Sequence, residues 1–448
     1  MDILGLIAST GGIFYTLIFF VIALSIIVAV HEYGHYIVGR WSGIRADVFS
    51  VGFGPVLASR VDRRGTRWQL AALPFGGYVK FAGDANAASA GADKGVLSEM
   101  TPEERRQTMH GAPLWARSAT VVAGPIFNFI LSLTIFGLVF LSRGVATDPL
   151  TVGNLSPMPG TLELQIGDEI SAVAGMPVPS YQDSTAFNDF LEGLPLGSDL
   201  TYLVNRDGVV RDVLAPFPYP AMITQLVPQS AAFAAGLEVG DVIIAVDGSP
   251  ISAFSELKVA VEGSNGRELA LQVWRDGEVL EKAMTPRSVD EPTGGGGFQS
   301  QWRIGIVGGL FFEPATEAPG VASAFAQGTQ QVFRIIEGSV SGLYHMVTGA
   351  ISSCNLSGPI GIAQTSGQMA SQGTTSFIWF VAVLSTAVGF LNLFPIPVLD
   401  GGHLVFHAYE AVFKRPPPEK FTQGLMAAGL TVILSLMLFA LYNDIFCP

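Results

Sequence analysis

The chain has 448 residues, 49% of them hydrophobic and only 14% charged, with a mean hydropathy of +0.44. A net charge of −13 and two cysteines exclude a nucleic-acid binder and a disulfide scaffold, and the apolar content excludes a disordered chain. A membrane protein with soluble mass attached remains.

Charge is what the hydrocarbon core tolerates least. Four stretches lack Asp, Glu, Lys and Arg: Ile3–Val30, Ser118–Ser142, Gly338–Leu399 (apolar from about Phe377) and Phe421–Asn443. A crossing needs about 20 apolar residues, so four transmembrane helices are expected, within 1–40, 113–143, 376–406 and 421–448. The first has Asp2 where a signal peptide carries basic residues, and its apolar run is too long for one. It is expected to be retained.

Four spans put both termini on one side. His31–Arg117 holds eleven basic against eight acidic residues, and the loop 407–420 holds Lys414, Arg415 and Lys420 against Glu410 and Glu419. Both are expected in the cytoplasm, with the termini outside. Arg143–Glu337, with ten basic and twenty-four acidic residues, then lies outside too.

Within 41–112, DVFSVGFGPVLASRV, the turn Asp62-Arg-Arg-Gly and TRWQLAALPFGGYVKF read as a β-hairpin, apolar enough to touch the membrane core or another span. Gly83–Gly95 is small and polar and is expected to be mobile. Thr101-Pro102-Glu103-Glu104 is a capping box with proline at the first helical position, so a short helix starts there.

The outer segment contains a repeat. LELQIGDEISAVAGMPV (162–178) aligns with LEVGDVIIAVDGSPI (237–251) when Gly167-Asp168 is laid on Gly240-Asp241, and Gly175 then falls on Gly248. Asn205-Arg-Asp-Gly and Trp274-Arg-Asp-Gly read as hairpin turns, one per copy. Two α+β units are expected, at 144–220 and 221–290. A flexible break at Pro292–Phe298 follows, then a linker and a helical or re-entrant segment to 375. Cys354 and Cys447 are expected as free thiols on the outer side.

The chemistry sits in His31-Glu32-Tyr33-Gly34-His35, at the end of the first span. Positions i and i+4 share a helix face, so both imidazoles can bind one Zn²⁺, while Glu32 stays close enough to take a proton from water. The bland alternative is a pair of interfacial histidines capping a span. A catalytic zinc needs a third protein ligand, and Asp400 ends a long run that holds no other charge. Asp400 could instead be an ordinary membrane-edge turn residue. His403 and His407 repeat the i, i+4 spacing without a glutamate and read as interfacial.

HEYGH, GPIFNFILS (124–132) and NLFPIPVLDGGH (392–403) resemble the site-2 metalloproteases, zinc proteases that cut inside membranes. FGGYVKF (75–81), NLSGPIGIA (355–363), four spans and two PDZ-like repeats are similar to the RseP branch of that family. The resemblance implies a four-helix membrane protease with a cytoplasmic membrane-associated β-hairpin and two periplasmic PDZ-like domains, in a bacterial inner membrane. It implies His31, His35 and Asp400 as zinc ligands and Glu32 as catalytic base. Asn392 and the strand Gly76, Gly77, Tyr78 and Val79 would hold an unwound substrate. The implied partners are single-span proteins such as an anti-sigma factor trimmed on its outer side, and remnant signal peptides. The sequence leaves the oligomeric state open. Two other readings remain, a catalytically silent PDZ scaffold and a metal transporter.

Overall fold

A computed structural model describes residues 3–85, 93–293 and 297–447. Its long helices are α1 (Ile3–Trp41), α2 (Leu114–Arg143), α3 (Val321–Val347), α4 (Pro359–Ser371), α5 (Thr374–Asn392), α6 (Asp400–Phe413) and α7 (Glu419–Phe446). Of these, α1, α2, α5 and α7 are long and apolar enough to cross a membrane. The chain divides into two compact units: Met1–Val139 with Ala322–Gly349 and Ser353–Pro448, and Phe140–Val321 with Ala350–Ser352.

In the first unit, lipid tails are as apolar as leucine, so helices associate through close packing of small residues. A Cβ on Gly34 of α1 would lie 2.5 Å from the Ala123 carbonyl oxygen of α2, which only glycine permits. Ala23 and Ile27 of α1 bury against Phe377 and Val381 of α5.

The predicted hairpin is present as β1 (Ala46–Val61) and β2 (Arg67–Phe81), paired antiparallel. The Asp62 carboxylate accepts from the Arg64 and Thr66 backbone N–H groups, which closes the turn. The strands bend, so that Val48–Val51 stands opposite both Gly77–Lys80 and Arg67–Leu70. Phe49, Val79 and Phe81 bury against Tyr36 of α1 and Ala116 of α2, so the apolar hairpin packs on the spans. The Thr101 capping box forms, with Glu104 bonding back to the Thr101 N–H. Of the segment expected to be mobile, 86–92 lie outside the described residues, and a short helix capped by Asp93 begins at Lys94.

Two expectations fail in this unit. The third span is not one helix through residue 406. It stops at Asn392, because Pro395 and Pro397 cannot donate the bonds that would continue it, and α6 starts afresh at Asp400. Gly401 and Gly402 let α6 fold back on that break: a Cβ on either would lie 2.3 Å from backbone oxygens of Leu393, Phe394 or Ile396. Second, Cys354 and Cys447 are not free thiols but form a disulfide, their Cα atoms 5.6 Å apart across 93 residues of sequence. The end of α7 is held there by its neighbours. Asn443 donates to the Ser353 carbonyl, and Asp444 accepts from the N–H groups of Gly358, Ile360 and Gly361, capping α4.

The second unit contains the repeat. Each copy has a four-stranded antiparallel sheet of the same order: Met176–Pro177, Glu169–Val173, Leu200–Arg206, Val209–Ala215 in one, and Ser249–Pro250, Val242–Val246, Leu269–Arg275, Glu278–Met284 in the other. A helix joins the second and third strands in sequence, Ser184–Gly193 or Phe254–Gly263. Both Arg-Asp-Gly echoes are two-residue turns with positive φ at Asp207-Gly208 and Asp276-Gly277, the type I′ geometry of tight hairpins.

The two echoes in each copy are joined to each other. Arg206 grips the Asp168 carboxylate with two bonds of 2.6 Å, and Arg275 grips Asp241 at 2.6 and 2.7 Å. Both carboxylates are essentially buried, and each also caps its own turn by accepting from the N–H of Gln165 or Glu238. Burial raises the Asp168 carboxyl, but the Arg206 bonds, the Gln165 N–H and the nearby arginine charges together outweigh it and hold the group below the usual carboxylate range.

The break at Pro292–Phe298 is also corrected in part. Residues 294–296 lie outside the described residues, but Arg287–Pro292 and Phe298–Arg303 pair as a hairpin around them. Strands from the following segment complete both copies: Phe312–Pro314 pairs with Val152–Leu155, and Ile306–Val307 with Gln225–Leu226.

Candidate metal centre

Helix α1 carries His31, Glu32 and His35 in its last turns. The break after α5 points Asp400, first residue of α6, at the two imidazoles. His31 Nε2 lies 3.1 Å from His35 Nε2, and Asp400 Oδ2 lies 3.2 Å from the first and 3.5 Å from the second. Among the described residues this is the group of His, Cys, Asp and Glu donors that could hold a metal ion.

The spacing fits zinc. A tetrahedron with bonds of about 2.0–2.2 Å has edges of about 3.3–3.6 Å. All three donors are largely shielded from solvent, and Asp400 Oδ2 is a buried oxygen with no hydrogen-bond partner. An orphaned buried carboxylate oxygen is costly unless something else satisfies it, and a cation bound between the three donors would do so.

Helix α2 shapes the other side. His35 Nδ1 lies 2.8 Å from the Thr120 carbonyl oxygen, which can only accept, so this nitrogen carries the proton and Nε2 offers its lone pair inward. Gly124 makes room for the rings, since a Cβ there would lie 2.4 Å from His35 Nε2 and 2.8 Å from His31 Cε1. Asn128, one turn on, reaches His31 Nδ1 at 3.2 Å. The sequence reading used GPIFNFILS only as a mark of resemblance and gave these residues no role. The available signal was a buried-type amide in an otherwise apolar span.

A cavity of about 420 Å³ opens on the donors and is lined by His31, Glu32, His35, Gly77, Tyr78, Val79, Asn392 and Asp400, with His403 at one side. Gly76 lies outside that lining. Its φ of +148° and the Phe53 ring, 2.3 Å from where a Cβ would sit, both demand glycine. Gly77 lets β2 approach α1, its Cβ position being 3.4 Å from Glu32 Cγ. Asn392 donates to the Val388 carbonyl of its own helix.

His403 and His407 are not in the donor group found among the described residues. His407 Nδ1 is 3.1 Å from Ser118 Oγ, and burial together with the adjacent Arg117 pushes His407 down to about 4. Arg117 itself makes a two-bond pair with Glu410, so α6 is tied to the start of α2 at two points.

These distances give a prediction. Asp400→Asn replaces an anionic ligand with a neutral amide. Zinc affinity should fall by more than the roughly 10–100-fold typical of removing a group that merely supports a ligand. Competition with a chromophoric chelator measures this, and affinity equal to wild type would remove Asp400 from the ligand set.

The profile of peptidase family M50 matches residues 19–436. A protein of Agrobacterium fabrum that bears the name zinc metalloprotease is 36% identical over 444 residues, 98% of each chain. A similarly named protein of Rhizobium meliloti is 36% identical over 434 residues, 96% of each chain. The regulator of sigma-E protease RseP of Salmonella typhimurium is 32% identical over 461 residues, 97% of this chain and 99% of its own. Helices fit to cross a membrane, a donor set with zinc spacing and a family match over most of the sequence agree: the chain belongs to peptidase family M50 and is a membrane zinc metalloprotease.

Proposed function

We propose that the protein is an intramembrane endopeptidase that cuts single-span membrane proteins within or near the bilayer. The observation that carries this reading is that one cavity is lined by the three donors, the Glu32 carboxylate and the edge of a β-strand.

His31, His35 and Asp400 would hold the ion and Glu32 would act as base. Zinc, when bound, supplies Lewis acidity that brings the pKa of water from 15.7 to ~7. Glu32 takes the proton released in attack on the peptide carbonyl and delivers it to the departing amine, so the amide bond breaks without expelling an unstable anion. Asn392, at the cavity wall, orients the substrate carbonyl.

A transmembrane substrate hides its carbonyls in helical i→i−4 bonds, so it must unwind to be cut. Unwinding in lipid exposes backbone groups that need partners. Among the described residues, Gly77–Lys80 of β2 has a strand partner on one side only, Val48–Val51, so its other edge can add the extended substrate as a strand. Gly76, Gly77, Tyr78 and Val79 serve as that platform.

The two outer modules read as PDZ-like domains that select substrates, on the support of their repeated sheet order and Gly-Asp turns. Placement in the bacterial inner membrane with termini and modules in the periplasm is supported by the basic loops and by the Cys354–Cys447 disulfide, since such bonds persist in oxidising compartments. The Salmonella relative is named as a regulator of sigma-E, and the substrate class of this reading is an anti-sigma factor already trimmed on its outer side. Remnant signal peptides, also single apolar spans, are a second substrate class of the same reading.

Purified protein, incubated with such a trimmed single-span substrate with and without a zinc chelator, should yield a chelator-sensitive fragment whose mass places the cut inside the span. Absence of both bound zinc and fragment would favour the silent scaffold. The role of the modules is tested by a deletion. Val145–Ala146 pairs antiparallel with Thr316–Glu317, so residues 147–315 can be replaced by a two-residue turn without stretching the chain. Cleavage of trimmed substrate should persist, and untrimmed substrate should now be cut as well. Unchanged discrimination would assign selection elsewhere.

A further inference from the structure

The side chain of Asn128 is fully buried within α2, and its Nδ2 is placed 3.2 Å from His31 Nδ1 while its Oδ1 has no hydrogen-bond partner. Amide oxygen and nitrogen are nearly isosteric, so the hydrogen-bond network around them, not their shape, assigns which is which. An Nδ2 donor would require a bare Nδ1 on His31 and therefore a proton on Nε2, the atom that faces His35 and Asp400. That tautomer cannot ligate. The opposite amide orientation puts Oδ1 against an Nδ1–H and leaves the Nε2 lone pair pointing inward, as the Thr120 carbonyl does for His35. The recorded orientation leaves Oδ1 without a hydrogen-bond partner, and ligation by His31 through Nε2 requires the opposite one.

We infer that Asn128 is a positioning residue of the metal centre: its Oδ1 accepts from Nδ1–H of His31 and locks the imidazole in the tautomer and orientation that present Nε2 to zinc. The inference rests on His31 being a ligand.

The surroundings hold the amide in place. The Asn128 backbone carbonyl accepts from Ser132 Oγ and from Ser385 Oγ of α5, each at 3.0 Å. A Cβ on Gly389 of α5 would sit 3.1 Å from Asn128 Cβ, so the two helix backbones meet at this residue. An acceptor behind a metal-bound histidine is worth about 10–100-fold in metal affinity. A neutral amide supplies it without adding a second buried anion beside Asp400.

The test measures zinc affinity by chelator competition on folded, detergent-purified full-length protein, in wild type, Asn128→Leu, Asn128→Asp and His31→Ala. Asn128→Leu keeps the volume and removes the acceptor, so affinity should fall about 10–100-fold. Asn128→Asp keeps an acceptor and should bind zinc at least as tightly as wild type, with the visible bands of the cobalt-substituted protein shifted by the more basic imidazole. Wild-type affinity in Asn128→Leu, with affinity lost in His31→Ala, overturns the inference and leaves the ligand assignment standing. Wild-type affinity in His31→Ala overturns the ligand assignment itself. Where Asn128→Leu does not fold, a loss of tenfold or more in Asn128→Asp overturns the inference and retention supports it.

Discussion

Glu32→Gln is expected to slow cleavage by roughly 10²–10⁴-fold, the usual contribution of a positioned general base, with zinc stoichiometry unchanged. Glutamine has the shape of glutamate, so the approach of Gly77 to Glu32 Cγ and the cavity around it persist. What disappears is an oxygen able to accept a proton and return it to the amine. The metal donors are untouched, because His31, His35 and Asp400 converge without help from Glu32. A single-turnover rate on the trimmed single-span substrate, paired with zinc analysis of the same sample, separates the two effects. A rate within tenfold of wild type would take proton transfer away from Glu32. Loss of zinc along with rate would mean that the variant damaged the site and says nothing about the base.

Gly124→Ala is expected to be nearly as damaging for a different reason. The added methyl would meet His35 Nε2 at 2.4 Å, His35 Cε1 at 2.5 Å and His31 Cε1 at 2.8 Å. Both rings must move, or α2 must back away from α1, where the Gly34 contact with Ala123 already leaves no slack. Overpacking of this kind costs about 1–3 kcal/mol. Here it falls on ring positions that must agree with Asp400 to within a few tenths of an ångström. Zinc affinity should fall by at least tenfold, and activity per bound zinc should fall with it. Alanine at Gly12, where a Cβ meets nothing within 4 Å among the described residues, is the matched control and should behave as wild type.

How much of this was legible in the sequence follows from what each signal measures. HEYGH could be read because a 3.6-residue period places His31 and His35 together whatever surrounds them, and Asp400 because a lone charge in a charge-free run is rare. The same run misled about the third span. Absence of charge reports depth in the membrane, not continuity of a helix, and Pro395 with Pro397 carried the missing information. The Asp-Gly turns could be read from local stereochemistry. Their attachment to the Gly-Asp turns through Arg206 and Arg275 could not, because it joins residues 38 and 34 positions apart. Cys354 and Cys447 meet only once the end of α7 lies against the start of α4, a purely tertiary fact. Asn128 left only a faint mark, a single amide in an apolar span, because an uncharged amide barely disturbs hydropathy.

The break after α5 has a consequence in time. Because the chain leaves the helix at Asn392 and re-enters one at Asp400, the third donor belongs to a separate element that arrives 369 residues after His31. Synthesis proceeds at about 5–20 residues per second, so His31 and His35 are in place for roughly twenty seconds or more before their partner exists. During that interval the growing chain holds two imidazoles without the carboxylate that completes the donor group. The order of the residues along the chain thus sets a delay between the first two members of the donor group and the third.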